Sequence, residues 1–273
     1  MCSLVQAIQT GAGAQAPALI KHLTASGIGQ WADLTKARLF QFRDDVLEEV
    51  ASTSARTYFA VLKGVLARYE DEEEFCRDYR DILHAKKEAP VKTYLTMAEL
   101  KRLEQVRTDT AVEQQVLYQF LIGAYTGMRI SDIREVTAEN VVEGQLSYVS
   151  KKTAVHAVVP CSERVQGYIL WVQANEQEVT LAGYNKALRR LCHRAGICDR
   201  VKVYKAGATL TGPKYEYVSS HTARISFCTN LAKLHVPLLD ISRMAGHSST
   251  AMTERYIVNT NVELPQSALK YFA

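Results

Sequence analysis

From residue 35 onward, apolar positions recur three and four apart, the spacing of helices with one buried face. The segments TKARLFQFRDDVLEEV (35–50) and TSARTYFAVLKGVLARYE (53–70) each open on a Thr suited to capping a helix N-terminus. In the second, Tyr58, Val61, Leu62 and Val65 form the expected core stripe. Arg56, Ala60 and Lys63 fall on another face, where small and basic side chains can either approach a phosphate backbone or stay solvated. The acidic run EDEEE (70–74) caps or solvates a connection. HAKKEAPVKTYLT (84–96) is charged, carries Pro90 and has no apolar period, so it reads as a linker. It separates a helical first domain, residues 1–88, from a second domain, residues 89–273.

Past the linker, Thr96 and Glu99 have the spacing of a capping box. AVEQQVLYQFLIGAYTG (111–127) is a strongly apolar helix ended by Gly127. The period then changes to two. QLSYVSKKTAVHAVVPCS (145–162) alternates and is rich in β-branched residues, which predicts a hairpin turning near Lys151–Thr153. Helical spacing returns from 163, interrupted by YKAGATLTGPKYEY (204–217), a Gly- and Lys-rich stretch that reads as a loop. The expected fold is mainly α, with a mixed but mostly helical second domain holding one small antiparallel sheet. At the end, VELPQSALKYFA (262–273) places Leu264, Ala268, Leu269 and Phe272 at near-helical spacing.

Composition narrows the class without naming a function. The 273 residues are 47% hydrophobic and 23% charged, as in ordinary globular proteins, and long enough for two domains. MCSLVQAIQT is too polar for a secretory signal, and no apolar run approaches the roughly 18 residues of a membrane span, so a cytoplasmic or nucleoid location in a bacterial-type cell is expected. Six cysteines form no C-x-x-C pair; Cys192, His193 and Cys198 lie close but lack a second cluster, so reduced thiols and no metal or other cofactor are expected. Net charge is +4, unevenly placed: residues 1–88 hold 11 basic and 13 acidic residues, and the remainder 22 and 16. The basic excess in the second domain suits a phosphate-binding surface.

Several polar residues have no place in plain amphipathic packing. Arg129 follows the helix end at Gly127, and His221 and Arg224 sit three apart on one helix face. Gly246–His247 precedes Tyr256 by nine residues from the histidine. Each alone has an ordinary reading, as a helix histidine or a surface ion-pair arginine. Together they suit a site that grips a phosphate and attacks it. Such an attack needs a nucleophile, cations to stabilise a pentavalent phosphorane, and an acid for the leaving oxygen. Arginines fit the second task because they are permanently charged and fork onto non-bridging oxygens.

In order, YTGMRISDIREV (125–136), SKKT on the hairpin, HTAR, Gly246–His247 and Tyr256 resemble the tyrosine recombinase, or phage integrase, family across essentially all of 93–258. SSHTARISF and GHSSTAMTERYI look especially similar to integrases of mobile elements in the Bacteroides group. The resemblance implies a helical, SAM-like core-binding domain, with Arg56 and Lys63 as DNA contacts, and a catalytic domain. It implies that Arg129 and Arg224 hold the phosphate, that His221 transfers a proton or orients the phosphate, and that His247 donates a second hydrogen bond. The family's hairpin lysine protonates the departing 5′-oxygen and stands eight residues before the closing proline. Counted from Pro160 this selects Lys152 over Lys151, and strand alternation lets only one of the two face the cleft.

Tyr256 is implied as the nucleophile of a 3′-phosphotyrosyl link; of the nearby tyrosines, Tyr215, Tyr217 and Tyr271 lack its spacing from Gly246–His247. The implied partner is double-stranded DNA, bound by a protein monomeric when free and homotetrameric on paired sites. Strands would exchange through a Holliday junction, with accessory DNA-bending proteins able to assist and the terminal stretch 262–273 docking on a neighbouring protomer. His156, His193 and His235 match no part of the pattern. Two rivals stay open at this point: a type IB topoisomerase-like enzyme that relaxes DNA, and a catalytically silent DNA-binding protein.

Overall fold

A computed structural model describes residues 2–85, 92–205 and 208–258. The chain divides into two compact units, Met1–Val91 with Tyr204–Leu210, and Lys92–Val203 with Thr211–Ala273. Part of the expected linker (86–91) and the terminal stretch 262–273 lie outside the described residues.

The first unit is built from α1 (Leu4–Gly11), α2 (Ala16–Ala25), α3 (Lys36–Glu49), α4 (Ser52–Arg68) and the short α5 (Tyr79–Ile82). Thr35 caps α3 as its sequence suggests, accepting from the Arg38 amide. The start of α4 differs from expectation. Ala51 is its N-cap, without a side-chain bond, and Thr53 lies inside the first turn. Its buried face is Ala55, Phe59, Leu62, Val65 and Leu66; Tyr58 and Val61 are only half-buried at the edge. Residues 55, 59, 62 and 66 make a ridge that turns inward as one, and Phe59 meets Phe42 of α3 edge-on at 5.9 Å. On the outer side, Arg56 is exposed and Lys63 half-buried.

The second unit begins with α6 (Met97–Glu104), entered through the Thr96–Glu99 capping box. Buried Glu99 also holds the buried Lys214 ammonium at 2.7 and 2.8 Å. The long apolar α7 (Ala111–Thr126) ends at Gly127, whose φ of +74° explains the residue: an added Cβ would also meet the Phe227 ring at 2.6 Å. The short α8 (Ile130–Ile133) starts immediately after Arg129.

A three-stranded antiparallel sheet follows, β1 (Val141–Val142), β2 (Gln145–Val149) and β3 (His156–Pro160), in that spatial order. Gln145 pairs with Pro160 and Val149 with His156, so the turn spans 150–155 and includes the predicted Lys151–Thr153. Leu146 and Tyr148 of β2 face inward. Both candidate lysines lie in the turn, beyond the last residue of β2, so strand alternation does not sort them.

After α9 (Glu163–Ala174) and α10 (Leu181–Arg194), the stretch read as a loop contains strands, β4 (Arg200–Lys205) paired with β5 (Ala208–Pro213). The alternation lies in RVKVYK (200–205), upstream of most of the Gly- and Lys-rich window that drew the loop reading. Last come α11 (Ser220–Lys233), α12 (Leu238–Met244) and α13 (Thr250–Glu254). Helix α11 is buried continuously from Thr222 to Asn230, packed on α7. It is the axis on which the polar residues of the sequence pattern assemble. Among the described residues, no helix is long and apolar enough to cross a membrane.

Candidate active site

Arg224 sits on α11 with only 1% of its surface exposed. Its Nη1 donates to the Gly127 carbonyl at 2.7 Å, a group freed by the left-handed end of α7. Its Nε donates to Nε2 of His247 at 3.2 Å, while Nη2 is buried without a hydrogen-bond partner. Arg224 has no ion-pair partner among the described residues. A buried guanidinium without a carboxylate is costly, since burial removes solvent and nothing opposite in charge replaces it. Nearby, the Tyr148 hydroxyl of β2 is also buried and unpartnered. Burial raises its pKa, and the Arg224 charge pulls the other way.

Arg129 reaches the hairpin. Its Nη1 donates to Ser150 Oγ at 2.7 Å, and that hydroxyl donates onward to buried Asp132 at 3.3 Å. Asp132 also accepts from the Lys151 amide at 3.2 Å, so one carboxylate fixes both the second arginine and the start of the turn. The lysines now separate. Lys151 Nζ is ion-paired with Glu135, whereas Lys152 is exposed with no ion pair among the described residues. Thr153 Oγ1 donates to the Gly246 carbonyl at 3.2 Å and ties the turn to the Gly246–His247 corner. Gly246 has φ +61° and lies against the hairpin, where a Cβ would sit 3.4 Å from that of Ala157.

His247 is 5% exposed, and its Nδ1 lies 2.9 Å from Thr253 Oγ1 of α13. Because Nε2 accepts from Arg224, the ring proton belongs on Nδ1 and is donated to Thr253. His247 thus orients Arg224 here; donating to a phosphate requires the other tautomer. Tyr256 follows α13, its ring half-buried. The ring centroid is 4.6 Å from that of His247, 5.1 Å from that of His221, and 5.3 Å from Arg224 Cζ. Its backbone is held by fully buried Thr229 of α11, which donates to the Tyr256 carbonyl at 3.3 Å and accepts from the Val258 amide at 3.1 Å.

The cleft is cationic. Burial first, then the charges of Arg224, Arg129 and protonated His221, push His247 down to about 3. His221 is pushed down to about 4 by desolvation and then by Arg224, Lys92, Arg129 and Lys152. His221 is the more open of the two, which tempers its desolvation, but four neighbouring cations act in the same direction. Both imidazoles are therefore neutral at neutral pH. Desolvation, then Arg129, also lowers the pKa of Arg224.

Arg224, His247, His221 and Tyr256 meet in one cluster, Arg129 joins through the hairpin, and Lys152 is near enough for its charge to reach His221. Arg56 and Lys63 lie in the other unit. Tyr215 is in another part of the second unit, its ring against His193. Sequence reasoning passed over the residues that hold the cluster in place: Asp132, Ser150, Thr229 and Thr253. Asp132 and Ser150 lie inside motifs already singled out, and Thr229 was legible only as a polar residue on a helix face that proves buried.

Residues 93–262 match the phage integrase family. Among solved structures, the chain is similar to the Tn1549 transposon integrase in complex with a circular intermediate DNA, at 16% identity, covering 99% of this chain and all of that one, with a TM-score of 0.70. It is also similar to lambda integrase bound as a dimer to a COC′ core site, at 15% identity over 91% of this chain and 89% of that one, with a TM-score of 0.68. For a lambda integrase tetramer on a Holliday junction the values are 13%, 96%, 79% and 0.66. No curated protein matches in sequence. The matched residues span most of the second unit and contain every member of the cluster described above, and the chain belongs to the phage integrase family, the tyrosine recombinases.

Proposed function

We propose that this tyrosine recombinase cleaves and rejoins duplex DNA at specific sites through a 3′-phosphotyrosyl link to Tyr256. The observation that carries the reading is Arg224, a buried cation with an unpartnered Nη2 and no counter-ion among the described residues, packed against the nucleophile's ring. A phosphate supplies the missing anion, with Arg129, held on Ser150 of the hairpin, as the second cation. As Tyr256 Oη bonds to phosphorus, the bond to the 5′-oxygen breaks and that oxygen takes a proton from Lys152. The pairing of Lys151 with Glu135 favours Lys152 for this role. Neutral His221 can orient the phosphate or pass a proton, and His247 keeps Arg224 aimed.

Residues 1–88 serve as the core-binding domain and 89–273 as the catalytic domain, with Arg56 and Lys63 as backbone contacts of the former. Lambda integrase has been seen as a dimer on a core site and as a tetramer on a Holliday junction, and the Tn1549 integrase with a circular intermediate DNA. By that likeness the partner is duplex DNA and the working assembly a tetramer on paired sites, with accessory DNA-bending proteins assisting where the site requires them. The test is Tyr256→Phe on a nicked suicide duplex. The variant keeps DNA binding, because the arginines are untouched, and forms no covalent adduct. A protease-sensitive adduct that persists in it removes Tyr256 from the role.

A further inference from the structure

One cation in the cleft belongs to none of the family motifs. Lys92 precedes α6, and its Nζ lies 5.6 Å from the centroid of the Tyr256 ring. It is half-buried and has no ion pair among the described residues. Its position is fixed from α11. Leu95, three residues on, donates its amide to buried Ser226 Oγ at 2.8 Å, and its carbonyl accepts from buried Asn230 Nδ2 at 3.0 Å. Helix α11 thus holds two stretches of backbone: the segment leading into α6 through Ser226 and Asn230, and the nucleophile's own backbone through Thr229.

Among the described residues, the remaining charges around the Tyr256 ring are already committed or absent. Arg224 is bonded to Gly127 and His247 and awaits the phosphate. His221 and His247 are neutral at neutral pH. On the same face of α11, buried Cys228 is held near 12 by desolvation and stays a thiol. Arg255, beside Tyr256 in sequence, is exposed, and its charge follows desolvation in lowering the pKa of Lys92. Lys152, exposed on the hairpin turn, is assigned above to the leaving oxygen.

Resting on the recombinase reading above, we propose that Lys92 is the electrostatic partner of the nucleophile: its ammonium, held over the Tyr256 ring, stabilises the negative charge gathering on Oη as the Oη–P bond forms. A phenolate enriches the ring in electron density, so a cation above the ring is attracted more strongly in that state than to the neutral phenol. The balance is complete without another reactant. The phenolic proton leaves to solvent, Oη bonds to phosphorus, the P–O5′ bond breaks, the 5′-oxygen takes a proton from Lys152, and solvent reprotonates Lys152.

The experiment uses the full chain at saturating concentration on a nicked duplex whose bridging 5′-oxygen is replaced by sulfur, so that Lys152 is not limiting. Single-turnover cleavage is compared for wild type, Lys92→Met and Lys92→Arg, each with the native nucleophile and with 3-fluorotyrosine installed at position 256. The fluorinated phenol parts with its proton more readily. Lys92→Met is expected to cleave roughly 2- to 30-fold more slowly with the native nucleophile, and Lys92→Arg close to wild type. With 3-fluorotyrosine, most of the Lys92→Met deficit disappears. An equal deficit with both nucleophiles means a structural role and overturns the proposal. So does a normal saturated rate with weaker, less salt-sensitive binding, the signature of a plain DNA-backbone contact. Wild type on ordinary phosphodiester DNA runs alongside: no adduct there sinks the recombinase reading and this proposal with it, whereas an adduct with parallel losses sinks the Lys92 role alone.

Discussion

The two units bury different kinds of residue. In the first, the fully buried positions are Leu4, Ile8, Leu19, Leu39, Phe42, Phe59 and their like, and only His22 and Ser26 are buried polar groups among the described residues. In the second, the interior holds Glu99, Asp132, Ser150, Arg224, Ser226, Thr229, Asn230 and His247. The first interior is cohesive because apolar surface leaves water. The second gives up part of that gain to hold a cationic hole in shape, since each buried polar group must find a partner or weaken the fold. The contrast teaches which unit carries chemistry: the one whose interior is worse than packing alone requires.

The largest expected effect sharpens this contrast at the leaving group. Lys152→Ala should slow cleavage of ordinary DNA by about 10²–10⁴-fold, the usual loss for a general acid. Substrate with a bridging 5′-sulfur should restore a nearly normal rate, because a thiolate leaves without a proton. Lys151→Ala should be near normal on both substrates, as it loses an ion pair with Glu135 on the surface. Single-turnover assays on the two duplexes decide it, and rescue of Lys151→Ala instead would transfer the role.

Stability should respond in opposite ways in the two units. Phe42→Ala empties a fully buried site and should cost about 3–5 kcal/mol in denaturant unfolding. Arg224→Met removes an equally buried but unpaired charge. The free variant should melt at or above the wild-type temperature although cleavage is abolished. A marked loss of stability in Arg224→Met would mean that its bonds to Gly127 and His247 outweigh its desolvation.

Acid offers a gentler test. The folded-state pKa of His247, about 3, is depressed below its unfolded value of about 6.5, so the unfolded chain binds the extra proton first. Its contribution to stability is present above pH 6.5 and is lost as pH falls toward 3; His221, at about 4, acts in the same direction. Hydrogen exchange should show the second unit opening before the first between those limits, and His247→Gln should flatten the dependence. The smallest effect belongs to the first unit's surface. Arg56→Ala and Lys63→Ala should each weaken single-site binding a few-fold, roughly uniformly across sequences, and lower the salt slope by about one, as measured by titration at several salt concentrations.

What the sequence disclosed follows the same division. The helix 111–126 was legible from its apolar length and Gly127, and the hairpin from the change to a period of two and its β-branched residues. The polar cluster was legible because Arg129, His221, Arg224, His247 and Tyr256 stand together in the order of a known family's motifs, although each alone has an ordinary reading. The start of α4 was misplaced because Ala51 caps it by backbone geometry, which composition does not signal. The β4–β5 pair was hidden because the Gly- and Lys-rich window began inside its first strand. Thr229, Ser226 and Asn230 escaped notice because a polar residue on a helix normally faces water. Only tertiary packing of α11 turns them inward, against Tyr256 and Leu95.

The buried cationic cluster is proposed to serve one nucleophile. Trapping the adduct on a nicked suicide duplex, digesting with trypsin and sequencing the DNA-linked peptide by mass spectrometry tests it most directly. A single modified peptide is expected, beginning at Tyr256 directly after Arg255, with the 3′-phosphate on that tyrosine's oxygen. A link to Tyr215, Tyr217 or Tyr271, or to a serine, would contradict it.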